Sequence, residues 1–220
     1  MPIEYHDISR KLQDQYETRK LADRISDFAP GVFSADDRAM VESADLFFLA
    51  TADAQGRPQV SYKGGYPGFV KVLDDRTLAF PIFDGNGMFL SAGNMFANPN
   101  VGLLFIDFIR PYRLRVNGTA SVSDNDPLLG EFLEAQMVVR VAAREIFPNC
   151  PRYIHKMQLV ERSRYVPQAA CETPIAKWKL TNLVQDVLPL RDRQAINAKL
   201  KDGAAEIIEV DFEKPLRDQI

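Results

Sequence analysis

Residues 77–118, TLAFPIFDGNGMFLSAGNMFANPNVGLLFIDFIRPYRLRVNG, decide how the rest of the chain is read. Thr77–Ile82 is a compact apolar run with the length of a strand, and Asp84-Gly85-Asn86-Gly87 follows it as a loop. A short helical stretch over 88–97 is closed by Asn98-Pro99, because the residue before a proline is pushed out of the helical region. Val101–Phe108 and Tyr112–Val122 then read as a hairpin turned through Arg110-Pro111. In its second arm Arg113 and Arg115 alternate with Leu114 and Val116, so the two arginines share one face.

Working outward, Leu46–Ala52 and Pro58–Lys63 form a hairpin across the turn residues Asp53–Gly56. Phe69–Leu73 pairs with Thr77–Ile82 across Asp74-Asp75. Met137–Phe147 and Gln158–Val166 are further strands, and short helices fit 126–135, 151–157 and Leu190–Leu200. Upstream, Ile8, Leu12, Leu21, Ile25 and Phe28 recur at helical spacing, irregularly around Gln13–Arg19, before Pro30-Gly31 interrupts. Ser34 followed by Asp37 has the spacing of a capping box and starts another helix through Ser43.

Strands joined mostly by hairpins, with helices inserted and appended, define a mainly β (α+β) domain. A closed or partly closed antiparallel barrel hides the strand edges most economically. The expected organisation is an N-terminal helical segment, 1–45, packing on a barrel domain, 46–168, with a C-terminal extension, 169–220.

The chain of 220 residues can bury a substantial core without disulfides. Its 46% hydrophobic and 26% charged residues are those of an ordinary globular protein. A net charge of -3 argues against general affinity for nucleic acid or anionic membrane. Val101–Ile109 is broken by Gly102 and Asp107 and is too short to cross a bilayer. MPIEYHDISRK lacks the apolar core of a secretory signal, and Cys150 and Cys171 have no CxxC spacing, so a reducing cytoplasm is expected. Only His6 and His155 are present, which excludes a multi-histidine metal site.

Gly85 and Gly87 permit positive φ and let backbone N–H groups approach an anion. The same glycines also suit a plain chain reversal, and Leu90 stands where a dinucleotide fingerprint needs glycine. Ser61 and Lys63 share a strand face and offer a hydroxyl and an ammonium. Arg113 and Arg115 suit either a phosphate grip or the solvated face of a sheet.

Over about residues 46–123 the chain resembles the pyridoxamine 5'-phosphate oxidase-like split barrels. Ser61-Tyr62-Lys63 resembles the family's Leu-Leu-Lys, with Lys63 at its phosphate-binding lysine. Phe83-Asp84-Gly85-Asn86-Gly87, the helix and Asn98-Pro99 resemble its phosphate loop, helix and Asn-Pro. Tyr112-Arg113-Leu114-Arg115-Val116-Asn117-Gly118 is similar to its Arg-Gln-Val-Arg-Val-x-Gly strand, placing Arg113 at a flavin-contacting glutamine. The departures are specific. Asn86-Gly87 replaces the family's Arg-Lys pair, Pro58 replaces the arginine opening the lysine strand, and no substrate-binding Trp motif surrounds Trp178. The chain therefore resembles the family's flavin-binding relatives rather than the oxidase itself.

The resemblance implies an antiparallel split β-barrel that binds FMN in a groove shared by two subunits of a homodimer. Ser61, Lys63, Gly85, Asn86, Gly87, Arg113 and Arg115 are the implied cofactor residues, with Arg57 or Arg113 compensating for the missing cations. No residue carries a catalytic assignment. The expected activity is a flavin-dependent oxidoreductase on a small molecule; the alternative is a non-catalytic protein that sequesters flavin or haem. In Phe147-Pro148-Asn149-Cys150-Pro151-Arg152-Tyr153-Ile154-His155 a turn with a buried thiol is expected, against a reading that puts Cys150 or His155 near the flavin.

Overall fold

The computed structural model describes residues 3–27, 29, 31–215 and 219, so Phe28 and Pro30 lie outside the described residues. The chain divides into two compact units, Met1–Arg162 and Ser163–Ile220.

The first unit is built on one antiparallel sheet of seven strands. In chain order they are β1 (Leu46–Ala52), β2 (Pro58–Gly64), β3 (Lys71–Val72), β4 (Thr77–Ile82), β5 (Asn100–Asp107), β6 (Tyr112–Ser123) and β7 (Met137–Pro148). Their spatial order is β2-β1-β5-β6-β7-β4-β3, so β2 and β3 are the edges and the barrel is split rather than closed. The three expected hairpins are present, but Phe69–Leu73 contracts to Lys71–Val72.

Alternation sets the inside. Phe47, Leu49, Leu103, Phe105, Leu114 and Val116 are all buried, and Phe47 meets Phe69, Phe80 and Phe105 at ring separations of 5.8, 5.0 and 5.2 Å. A bulge between Asn117 and Gly118 bends β6 against β7. Gly118 is required there, because a Cβ would stand 2.2 Å from the carbonyl oxygen of Ala142.

Helices α1 (Asp7–Gln15) and α2 (Arg19–Ser26) replace a single N-terminal helix, with Glu17 between them at φ 56°. Ile8, Leu12, Leu21 and Ile25 remain exposed on them. Helix α3 (Ala35–Ser43) starts at the expected capping box: Asp37 N donates to Ser34 Oγ at 3.1 Å and Ser34 N to Asp37 Oδ2 at 3.0 Å. Its Val41 is fully buried among the core side chains and Met40 is partly so. Helix α4 (Leu90–Ala97) follows β4 and lies against β1, β2 and β6.

Elsewhere the sequence reading is corrected. Residues 158–166 form no strand, and 151–157 hold a turn, with Ile154 N donating to Pro151 O at 2.9 Å, in place of a helix. The helix expected over 126–135 is one 3-10 turn, Leu129–Glu131.

In the second unit, α5 (Leu190–Lys201) buries Ile196, and a 3-10 turn carries Lys177–Leu180. Lys179 is buried, donates to Asp192 Oδ2 at 2.8 Å and lies 5.6 Å from the Trp178 ring, so Trp178 takes part in local packing.

Candidate functional site

Antiparallel partners share a face, so the sheet register fixes where each candidate points. Lys63 pairs with Phe47 and Ser61 with Leu49, both core residues, so Ser61 and Lys63 face the barrel interior at the open β2 edge. Helix α4 crosses this edge, and Ser61 Oγ lies 2.7 Å from Ser91 Oγ in its first turn. One turn on, Asn94 Nδ2 donates to Thr51 Oγ1 at 3.1 Å, fixing the helix to β1.

The N-terminus of α4 has no side-chain cap. Its first N–H groups and the positive end of its dipole are therefore available to an anion beside the two serines. Lys63 has no hydrogen-bond or ion-pair partner among the described residues. Burial alone pushes its ammonium below the ordinary lysine range. A half-buried cation without a counter-ion, two hydroxyls and a free helix end together suit a phosphate.

The loop before α4 is held open by its own bonds. Met88 N donates to Asn86 Oδ1 at 3.1 Å, so the Asn86 amide is engaged inside the loop. Gly87 has φ 75°, a conformation that favours glycine, and nothing stands within 4 Å of a Cβ at Gly85 or Gly87. These glycines thus leave room for a ligand as well as turning the chain. Asp84 accepts from Gln136 Nε2 at 3.0 Å.

Arg113 and Arg115 share a face, as their spacing requires, but it is the other face of the sheet. Arg115 pairs with Leu104, which pairs with Phe48, which pairs with Tyr62. Tyr62 points away from Lys63, so one chain does not bring Arg113 or Arg115 to Lys63. Arg113 Nε is buried with no hydrogen-bond partner. Arg57 is committed elsewhere, with Nε 2.6 Å from Asp53 Oδ2 in the β1–β2 turn.

Beyond β7, Asn149 N donates to Arg113 O at 3.2 Å and carries the chain past Arg113 to Cys150. The Cys150 thiol is exposed, which corrects the expectation of a buried one. A backbone hydrogen bond at Arg152 and the Arg152 guanidinium, Nε 3.1 Å from Sγ, hold it below the ordinary thiol range. Ser91 is the site residue that sequence reasoning missed. Its signal is faint: it is the first hydroxyl after the Gly-Asn-Gly loop, at the start of a helix.

The profile of the pyridoxamine 5'-phosphate oxidase family matches residues 33–162, more than half of the chain. The chain therefore belongs to that family, with the departures already described. No curated protein sequence matches it. Among solved structures, HupZ of Group A Streptococcus is 20% identical, covering 53% of this chain and 94% of its own, with a TM-score of 0.43. HutZ, the heme storage protein of Vibrio cholerae, is 22% identical, covering 49% and 88%, with a TM-score of 0.38. An F420 reductase is 21% identical, covering 50% and 94%, with a TM-score of 0.40. Among the described residues no helix is long and apolar enough to cross a membrane.

Proposed function

We propose that this chain is an FMN-binding flavoprotein, acting as a homodimeric oxidoreductase on a small molecule in the cytoplasm. The observation that carries the reading is the unpaired, half-buried Lys63 ammonium beside the Ser61–Ser91 hydroxyl pair at the uncapped start of α4. Ser61, Lys63, Ser91 and the first N–H groups of α4 would hold the phosphate, with Gly85 and Gly87 letting the loop backbone approach. When bound, the flavin supplies the electron-transfer chemistry, and the protein's part is binding and orientation. The Lys63 ammonium would balance phosphate charge, and whichever of the two serine hydroxyls accepts in the Ser61–Ser91 bond would donate to a phosphate oxygen.

Arg113 belongs to the same reading through the second copy. Its unpartnered Nε faces away from its own Lys63, so a flavin lying between two subunits gives both cations a use. Two free exposed thiols, Cys150 and Cys171, suit a reducing compartment.

The test is the visible spectrum of the freshly purified protein, followed by titration with FMN. A two-band yellow flavin spectrum, or saturable uptake of added FMN, is the expected result. A haem-like band would transfer the site to the sequestering alternative. A colourless protein that takes up no FMN would overturn the reading.

A further inference from the structure

The lysines of this chain differ in what surrounds their charge. Lys71, Lys179, Lys199 and Lys214 are ion-paired, at 2.6, 2.8, 2.6 and 3.0 Å from Glu131, Asp192, Glu172 and Asp211. Lys11, Lys20, Lys156, Lys177 and Lys201 are exposed to water. Lys63 belongs to neither group. It is withdrawn from solvent on β2, facing inward opposite Phe47, and has no partner among the described residues.

A lysine amine attacks carbon only after shedding its proton. Withdrawal from water without a carboxylate favours that loss, and the desolvation of Lys63 acts in this direction. The positive end of the α4 dipole, which begins beside Ser91, acts in the same direction. An ion pair opposes it at the four paired lysines, and hydration opposes it at the exposed ones.

The surroundings of Lys63 also select what its amine meets. Ser61 is two residues back on the same strand face, about 7 Å away. There the Ser61–Ser91 pair and the uncapped N–H groups of α4 suit a phosphate. A phosphate held at the serines stands one short carbon chain from the Lys63 amine. About three carbons, at about 1.5 Å per bond, bring a carbonyl at the far end within reach of the flexible lysine.

We propose that Lys63 is a covalent site for short phosphorylated aldehydes, which anchor by phosphate at Ser61, Ser91 and the start of α4 and form an imine on Nζ. The proposal rests on the phosphate reading above and adds regulation to it, because an aldehyde held there excludes FMN from the same groups. The step needs no further reagent. The Lys63 ammonium releases a proton, and the Nζ lone pair attacks the carbonyl carbon to give a carbinolamine. The carbinolamine then takes up a proton and loses its hydroxyl as water. Ammonium and aldehyde thereby become a protonated imine and one water, with nothing oxidised or reduced. The phosphate at the other end of the molecule balances the iminium charge, and water reverses the linkage.

The test incubates the full chain, dialysed free of flavin, with glyceraldehyde 3-phosphate. Cyanoborohydride fixes any imine as a secondary amine, and peptide mass spectrometry maps it. Glyceraldehyde, which lacks the phosphate, is the control, and FMN is titrated into a parallel sample. The expected result is labelling of Lys63 at least tenfold above Lys11 or Lys156 with the phosphorylated aldehyde, and no such preference with glyceraldehyde. Even labelling of all lysines, or a Lys63 preference that persists without the phosphate, overturns the covalent site. FMN uptake without preferential labelling overturns the covalent site and keeps the flavin reading; preferential labelling in a chain that takes up no FMN does the reverse. Separately, Ser91→Ala is expected to lower labelling of Lys63 several-fold while Lys11 and Lys156 react as before. Undiminished labelling of Lys63 in that variant also overturns the covalent site.

Discussion

Ser61 on β2 and Ser91 on α4 meet at 2.7 Å although thirty positions separate them in sequence. The bond ties the open edge of the barrel to the helix whose uncapped end faces the same spot. It also sets two hydroxyls next to the Lys63 position, since strand side chains two residues apart stand about 7 Å from one another on one face. Under the proposed function, strand, helix end and lysine would act as one anion site.

Removing the lysine should therefore cost more than removing either hydroxyl. Lys63→Ala is expected to raise the dissociation constant for FMN about tenfold, equivalent to about 1.4 kcal/mol. Ser91→Ala should weaken binding by a smaller factor, because Ser61 keeps its own hydroxyl. Fluorescence titration measures both, and wild-type affinity in Lys63→Ala would place the phosphate elsewhere.

The same lysine gives binding a pH dependence with a definite sign. Burial lowers its pKa in the free protein, and a bound phosphate favours the charged ammonium and raises it again. Affinity is then full below the free-protein pKa and declines as pH rises through it, below the ordinary lysine range. Titrations across alkaline pH should show this decline in the native chain and its absence in Lys63→Ala. A native profile as flat as that of the variant would exclude Lys63 as the ligand.

Phe47 is fully buried and touches Phe69, Phe80 and Phe105 from β1. Phe47→Ala leaves a cavity at the meeting point of these rings and should destabilise the first unit by about 3–5 kcal/mol. Denaturant melts followed by circular dichroism would show the loss. A midpoint within error of wild type would contradict the packing.

Asp126 takes a bidentate grip from Arg140 on β7, with Oδ2 2.6 Å from Nε and Oδ1 2.8 Å from Nη2. That hydrogen bonding holds the Asp126 carboxyl below its usual range. A depressed carboxylate contributes stability above its unfolded pKa of about 3.9, and the contribution is lost as pH falls through the lower folded value. Asp126→Asn should thus cost about 1 kcal/mol at neutral pH, the upper end for a partly exposed pair. The gap from wild type should close in strong acid.

At Cys150 the neighbouring Arg152 stabilises the thiolate, which is the reactive form. Arg152→Ala should slow alkylation of Cys150 several-fold at neutral pH. Mass spectrometry of iodoacetamide-treated protein resolves the rate at this position. An equal rate in the variant would remove Arg152 from the account.

Much of the fold is legible because local chemistry and tertiary structure agree. The Ser34–Asp37 cap and the runs Leu46–Ala52, Thr77–Ile82 and Tyr112–Val122 carry their signals within a few residues. Residues 158–166 mislead because a strand needs a neighbour as well as a pattern. Neither β2 nor β3 takes them as a partner, and Val160 stands 97% exposed. At 151–157 a short helix would have no face to bury, with Tyr153 85% exposed, and so short a helix is marginal alone.

The site is half legible for a related reason. Periodicity pairs Ser61 with Lys63 and Arg113 with Arg115, because parity within one strand is local. It does not relate the parity of β2 to that of β6, which passes through the registers of β1 and β5. Ser91 was missed because its contact depends on how α4 is rotated over the sheet.

The opposed facing of Lys63 and Arg113 has a thermodynamic corollary for the shared-cofactor reading. A solitary copy holds only one of the two cations at each phosphate position, so cofactor affinity and subunit association become linked equilibria. Dilution would then release flavin at a fixed ratio of flavin to protein, and added FMN would draw monomers together. Under this coupling, colour in solution reports assembly as well as occupancy.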